Sequence, residues 1–169
     1  SSVNLGYHTP EQVSFLEPKE FDFTNPDFML IAIKNQLFFS WDRGHNIYGP
    51  CRLPGFGYDI IWPRPDYVVR DDGALILFAT VNCNDGREGK PIAIISKNNG
   101  ISWELFSYIS EEKSEYMQIM PSGIILPSGR MLCAIRCQRY KYGYSFWSEC
   151  YASEDGGRHW QFLSRINDL

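Results

Sequence analysis

Ser153-Glu154-Asp155-Gly156-Gly157-Arg158-His159-Trp160 has the form Ser-x-Asp-x-Gly-x-x-Trp, and two other stretches repeat it. Ser96-Lys97-Asn98-Asn99-Gly100-Ile101-Ser102-Trp103 carries Asn in place of Asp, while Ser40-Trp41-Asp42-Arg43-Gly44-His45-Asn46-Ile47 keeps Ser, Asp and Gly but ends in Ile. Ser40, Ser96 and Ser153 lie 56 and 57 residues apart, and a fixed period of about that size marks an array of supersecondary units. The residue types specify a turn. Asp or Asn accepts hydrogen bonds from nearby backbone N–H groups, Gly takes a positive φ, and the closing Trp packs into an apolar layer. Ser40, Asp42, Gly44, Ser96, Asn98, Gly100, Trp103, Ser153, Asp155, Gly157 and Trp160 are therefore read as structural. The competing reading of the Asx residues, a calcium site, is disfavoured because one carboxylate per turn makes a poor oxygen cage.

A second series keeps the same step. Residues 65–77, Pro-Asp-Tyr-Val-Val-Arg-Asp-Asp-Gly-Ala-Leu-Ile-Leu, align with residues 121–133, Pro-Ser-Gly-Ile-Ile-Leu-Pro-Ser-Gly-Arg-Met-Leu-Cys, at an offset of 56. Asp72-Gly73 and Ser128-Gly129 supply the positive φ of tight hairpins. Each unit thus reads as strand, hairpin, strand, loop, strand, box turn and strand, with units at roughly 19–62, 63–118 and 119–169. Four antiparallel strands per unit make one propeller blade, so the expected fold is all-β, a β-propeller of about three four-stranded blades within one domain.

Bulk composition agrees with a globular β protein. The 169 residues are 44% hydrophobic and 15% aromatic, and apolar spacing of the helical kind is nearly absent. A net charge of −4 without a Lys/Arg cluster argues against a nucleic-acid partner. The apolar runs 28–33 and 74–81 are far shorter than the roughly 20 residues of a membrane helix, so no membrane partner is expected. Cys51, Cys83, Cys133, Cys137 and Cys150 have no Cys-x-x-Cys spacing and only three His accompany them, which points to reduced thiols, no metal and no cofactor. Ser1-Ser2-Val3 opens the chain without a charged and apolar leader, so an export signal is read as absent or removed and the compartment stays open.

The spaced boxes resemble the Asp-box, or BNR-repeat, propellers, the family of the sialidases, over roughly residues 27–169. If the boxes join third and fourth strands, the hairpins 71–74 and 127–130 share their end. The opposite end is then built from loops 82–90 and 137–148 and from connections 47–65 and 109–121, where binding residues are expected. The resemblance implies an Arg at the start of an inner strand, followed by an Arg and an Asp in the next loop of that end; Arg64, Arg87 and Asp85 are similarly placed. Guanidinium groups would bind a sugar carboxylate bidentately and Asp85 would act as general acid. Glu88, the second acid of the loop, joins the substrate-binding candidates. A plain solvated loop is the competing reading.

The stretch 136–147, Arg-Cys-Gln-Arg-Tyr-Lys-Tyr-Gly-Tyr-Ser-Phe-Trp, reads either as a loop packed on the blade beneath or as a sugar platform, with Arg136, Arg139, Tyr140 and Tyr142 as binding candidates. The family's Tyr nucleophile and its partnering Glu come from late blades, so neither is assigned here. The expected function is that of a sialidase-like glycoside hydrolase, or a fragment of one, acting on terminal sugars; the alternative is a non-catalytic propeller that binds a glycan or a protein. Three blades leave two open sides, so the ring is expected to be completed by further blades or by a second copy in a homodimer.

Overall fold

A computed structural model describes residues 14–139 and 145–168, apart from the side chains of residues 65, 167 and 168. These residues form eleven strands and no helix, wound as three antiparallel meanders. The first sheet holds β1 (Met29–Ile33), β2 (Gln36–Ser40) and β3 (Tyr48–Arg52). The second holds β4 (Ile61–Val69), β5 (Leu75–Asn82), β6 (Glu88–Ser96) and β7 (Glu104–Tyr108). The third holds β8 (Met117–Ile125), β9 (Met131–Arg139), β10 (Ser145–Ser153) and β11 (Gln161–Asp168).

The sheets stack face to face in series. β5, Leu-Ile-Leu-Phe-Ala-Thr-Val-Asn, is apolar without a break from Leu75 to Ala79 and buried as far as Val81, because both its faces are covered. Leu75, Leu77 and Ala79 meet Leu30, Leu37 and Phe39 of the first sheet, while Ile76 and Phe78 meet Met131, Cys133 and Tyr151 of the third. Contact at the second of these interfaces is close. A Cβ at Gly123 of β8 would fall 2.2 Å from the Phe78 ring, so only glycine fits there.

The three boxes fold identically, between β2 and β3, β6 and β7, and β10 and β11. Ser40, Ser96 and Ser153 each accept on Oγ from the N–H of Gly44, Gly100 and Gly157, at 2.7, 2.9 and 2.9 Å. Asp42, Asn98 and Asp155 each accept on Oδ1 from the N–H four residues on, at 2.8, 2.9 and 2.9 Å. The box glycines have φ between +86° and +93°, and the residues before them, Arg43, Asn99 and Gly156, are also left-handed. Trp103 is buried in the cluster between first and second sheets. Trp160 crosses Phe78 edge-on at 6.4 Å and donates from Nε1 to Ser107 Oγ and the Gly157 carbonyl. The hairpins Arg70–Ala74 and Leu126–Arg130 turn at this same end.

Three expectations need correction. The first unit shows three strands among the described residues, and they match the second to fourth of the others: Met29 pairs with Ser40 as Leu75 does with Ser96 and Met131 with Ser153. Upstream of β1 the chain is bent by Asx turns at Asp22 and Asn25, and Leu16 makes only an isolated bridge to Cys51. Secondly, the expected loops are shorter than drawn, because strand pairing runs on through polar residues such as Asn82↔Glu88 and Arg139↔Ser145. Among the described residues, the stretches outside strands at this end are 53–60, 83–87 and 109–116, and Arg64, Glu88, Arg136 and Arg139 are strand residues. Lastly, the second and third sheets begin at Ile61 and Met117, two residues ahead of the expected unit boundaries. No disulfide forms, all five cysteines being free.

Candidate functional site

The end opposite the boxes begins with a kink repeated in both first strands. β4 loses register between Pro63 and Tyr67, and β8 between Ile119 and Ser122, where Arg64-Pro65 and Met120-Pro121 stand 56 residues apart. Proline cannot donate to a ladder, so each pair forces a bulge that re-aims its neighbour. At Arg64 the result is an ion pair with Glu88 across β5, Nη2 to Oε1 at 2.7 Å, and Thr80 donates its hydroxyl to the same oxygen. The two charged side chains are 28% and 18% exposed, sheltered enough for the pair to hold its geometry. Arg64 Nε and Asn82 Oδ1 are buried there without a hydrogen-bond partner.

Asp85 and Arg87 form a separate pair. Gly86, at φ +83°, turns the chain, and Arg87 folds back to donate from Nε to Asp85 Oδ2 at 2.7 Å and from its own N–H to Oδ1 at 3.1 Å. The Arg87 side-chain hydrogen bond holds the Asp85 carboxyl below the usual carboxylate range. A general acid needs the opposite shift, toward the working pH. This loop is tied to the next connection by the Asn84 N–H, which donates to the Glu112 carboxylate at 3.2 Å.

β9 carries the remaining described candidates. Arg139 reaches Glu115 at 3.5 Å and lies 5.6 Å above the Trp147 ring. Arg136 is exposed, 5.3 Å above the Phe146 ring, with Nη1 3.7 Å from Met120 Sδ. Among the described residues, no carboxylate comes within ion-pair distance of Arg136. Tyr140 and Tyr142 lie outside the described residues. A groove of about 290 Å³ lies along the start of the connection 109–116, lined by Lys90, Tyr108, Ser110, Glu112 and Trp160.

Sequence reading misses a buried acid held by four hydrogen bonds. Glu149 of β10 is 7% exposed and accepts four hydrogen bonds: from Tyr116 OH at 2.9 Å, Trp147 Nε1 at 3.0 Å, Gln118 Nε2 at 2.8 Å and Tyr151 OH at 2.9 Å. Burial alone would raise its pKa, but these donors more than offset that and leave it below the usual value. Burial and the bonded carboxylate push the Tyr116 and Tyr151 hydroxyls up, Tyr151 to about 12. Glu149 is thus a saturated, ionised acceptor that ties β10 to β8 and to the connection before it. The only sequence sign was the alternation Trp147-Ser148-Glu149-Cys150-Tyr151, which fits a strand with its odd positions inward.

No family model matches the chain, and no curated protein matches it. Among solved structures, its fold is similar to that of a protein of unknown function from Dyadobacter fermentans DSM 18053, with a TM-score of 0.63 and 15% identity. The match covers 76% of this chain and 37% of the other, so the chain spans little more than a third of that neighbour's length, and the likeness at this identity is one of fold alone.

Proposed function

We propose that this chain is part of a sialidase-like Asp-box β-propeller, each meander sheet being one blade, and that the end opposite the boxes binds terminal sugars of glycans. The stacked sheets and the placement of every box before a sheet's last strand support the propeller. The observation that carries the binding reading is Arg136, an exposed guanidinium on a strand, over the Phe146 ring and without an acid partner among the described residues. A guanidinium in that state takes a sugar carboxylate or a pair of hydroxyls through its fork of donors, and the adjacent ring packs against pyranose C–H groups.

The acids of this chain favour binding over cleavage. Asp85 is ionised and paired, and Glu149 has its lone pairs occupied. A sialidase-like glycoside hydrolase is the second reading, favoured by Arg64, which Glu88 and Thr80 fix on a first strand as a site for an anionic sugar would require. One experiment separates the two: titration of the protein with sialylated and neutral oligosaccharides, alongside incubation with aryl-sialoside and other aryl-glycosides. The expected result is binding of the sialylated oligosaccharide, weakened at least about tenfold by Arg136→Ala, without release of the aryl group. Aryl release selects the hydrolase, and binding indifferent to Arg136→Ala overturns the site.

A further inference from the structure

Two surface positions set the first unit apart from the other two. The second residue of each box is exposed, and its side chain takes no part in the hydrogen bonds of the turn; it is Lys97 in the second unit and Glu154 in the third. The strand after the box opens on a residue paired with the one just before the box serine, Glu104 opposite Ile95 and Gln161 opposite Ala152. Glu104 and Gln161 are also exposed, and Lys97 and Glu104 form an ion pair. In the first unit the same two positions hold Trp41 and Tyr48, the latter opposite Phe39. Trp41 is 41% exposed, so burial gives no account of an indole where the other units carry charge.

The two rings converge with a third on a cation. Phe21 lies 6.2 Å from Trp41 in a stacked arrangement and 5.8 Å from Tyr48. The Lys19 ammonium is 5.0 Å from the Trp41 centroid, 5.5 Å from Tyr48 and 5.9 Å from Phe21. Among the described residues, no carboxylate comes within ion-pair distance of Lys19. Two of the rings are held from behind. Tyr48 donates its hydroxyl to the Glu17 carbonyl at 2.9 Å, and Phe21 stacks on Phe39 at 4.5 Å while its N–H donates to the Asn99 carbonyl. Three ring faces directed at one ammonium make a cation-binding cage.

We propose that Phe21, Trp41 and Tyr48 form a binding site for a quaternary ammonium group, which Lys19 fills from within the chain when no ligand is bound. A lysine ammonium carries three N–H donors and is strongly hydrated, so rings that offer it no acceptor hold it weakly. A trimethylammonium group has no N–H to satisfy and sets its methyl groups against the rings, so the same cage holds it more tightly. Exchange requires only that one side chain rotate. Lys19 is exposed and reaches the cage on a flexible stem, while its segment is anchored separately, by the Leu16 N–H to the Pro50 carbonyl at 2.8 Å and by the Phe15 ring 4.0 Å from the Arg52 guanidinium. The cage lies at the box end, and nothing in it depends on sugar binding at Arg136.

An NMR titration of the chain with choline at constant ionic strength tests this, beside the neutral alcohol in which a tert-butyl group replaces trimethylammonium. The expected result is a saturable shift of the Trp41 indole resonance, with affinity at least about fivefold higher in Lys19→Ala than in the parent, because the resident cation is gone, and no saturable shift from the alcohol. Trp41→Leu, combined with Lys19→Ala, should abolish the choline response at the backbone N–H groups of Asp42 and Tyr48; circular dichroism checks that this exposed substitution keeps the fold. Trimethyllysine amide, titrated in parallel, distinguishes a modified side chain from a free head group as the carrier: binding of either supports the cage, and the tighter one names the source. Equal affinity for the neutral alcohol, equal affinity of Lys19→Ala and the parent, or no saturable shift in Lys19→Ala up to about 100 mM choline, a concentration that detects even a weak exposed cation–π site, each overturns the proposal.

Discussion

The two ends of the stack differ in kind. At the box end, three stretches 56 and 57 residues apart form the same turn, with the same serine and Asx acceptors on equivalent N–H groups. At the other end each described connection is different: β1 and β2 are joined through Lys34-Asn35, β5 and β6 through the self-paired Asp85–Arg87 loop. The box turns fix sheet geometry, and identical geometry asks for identical contacts. The opposite end is free to vary, and that freedom is what a binding surface draws on.

The comparison predicts that substitutions at the box end damage stability and those at the loop end do not. Trp103→Ala should have the largest effect, about 3–5 kcal/mol in urea or thermal unfolding, because the indole fills the cluster shared by two sheets. Stability within about 0.5 kcal/mol of the parent would break the comparison. Glu149→Gln sharpens it from the other side, since this group lies outside the boxes yet has four donors converging on it. A loss of about 2–3 kcal/mol is expected, because two of those donors then face an amide NH2 in place of a carboxylate oxygen and the other two keep only a neutral acceptor. The carboxyl is depressed in the folded state, so its contribution is complete above the unfolded value of about 4.3 and is lost as pH falls through the lower folded value. Urea midpoints measured from pH 7 down to pH 3 should therefore fall less steeply in Glu149→Gln than in the parent; equal slopes would mean the network does not hold the charge. Asp85→Asn should have the smallest effect, leaving the urea midpoint where it is in the parent, because both members of its ion pair are about half exposed.

What the sequence discloses depends on how far each interaction reaches along the chain. The box turns are legible because their hydrogen bonds span two to four residues, and β5 is legible because seven consecutive residues, Leu75 to Val81, are buried. The Arg64–Glu88 pair spans 24 residues, and the donors of Glu149 include groups 31 and 33 residues away, so neither leaves a local pattern. Asp85 and Arg87 invite the opposite error. An acid and a base two residues apart in a Gly-containing loop look poised for a ligand, but at that spacing the nearest partner of each is the other. The first sheet departs from the four-strand expectation because the regular box at Ser40 fixes only the strands on either side of it, and says nothing about the start of the unit.

Phe78 and Gly123 bear on how such an array could be rearranged. The period places Ala32 and Tyr67 at the corresponding positions one interface earlier, so a small residue on the leading sheet faces a large one there, and the sizes are reversed at the next. A recombination that deleted the second unit would join Ala32 to Gly123 and leave a void, and one that duplicated it would drive Phe78 into Tyr67. The units are alike in outline yet not exchangeable as modules, because their linear order is written into which partner of each contact is large.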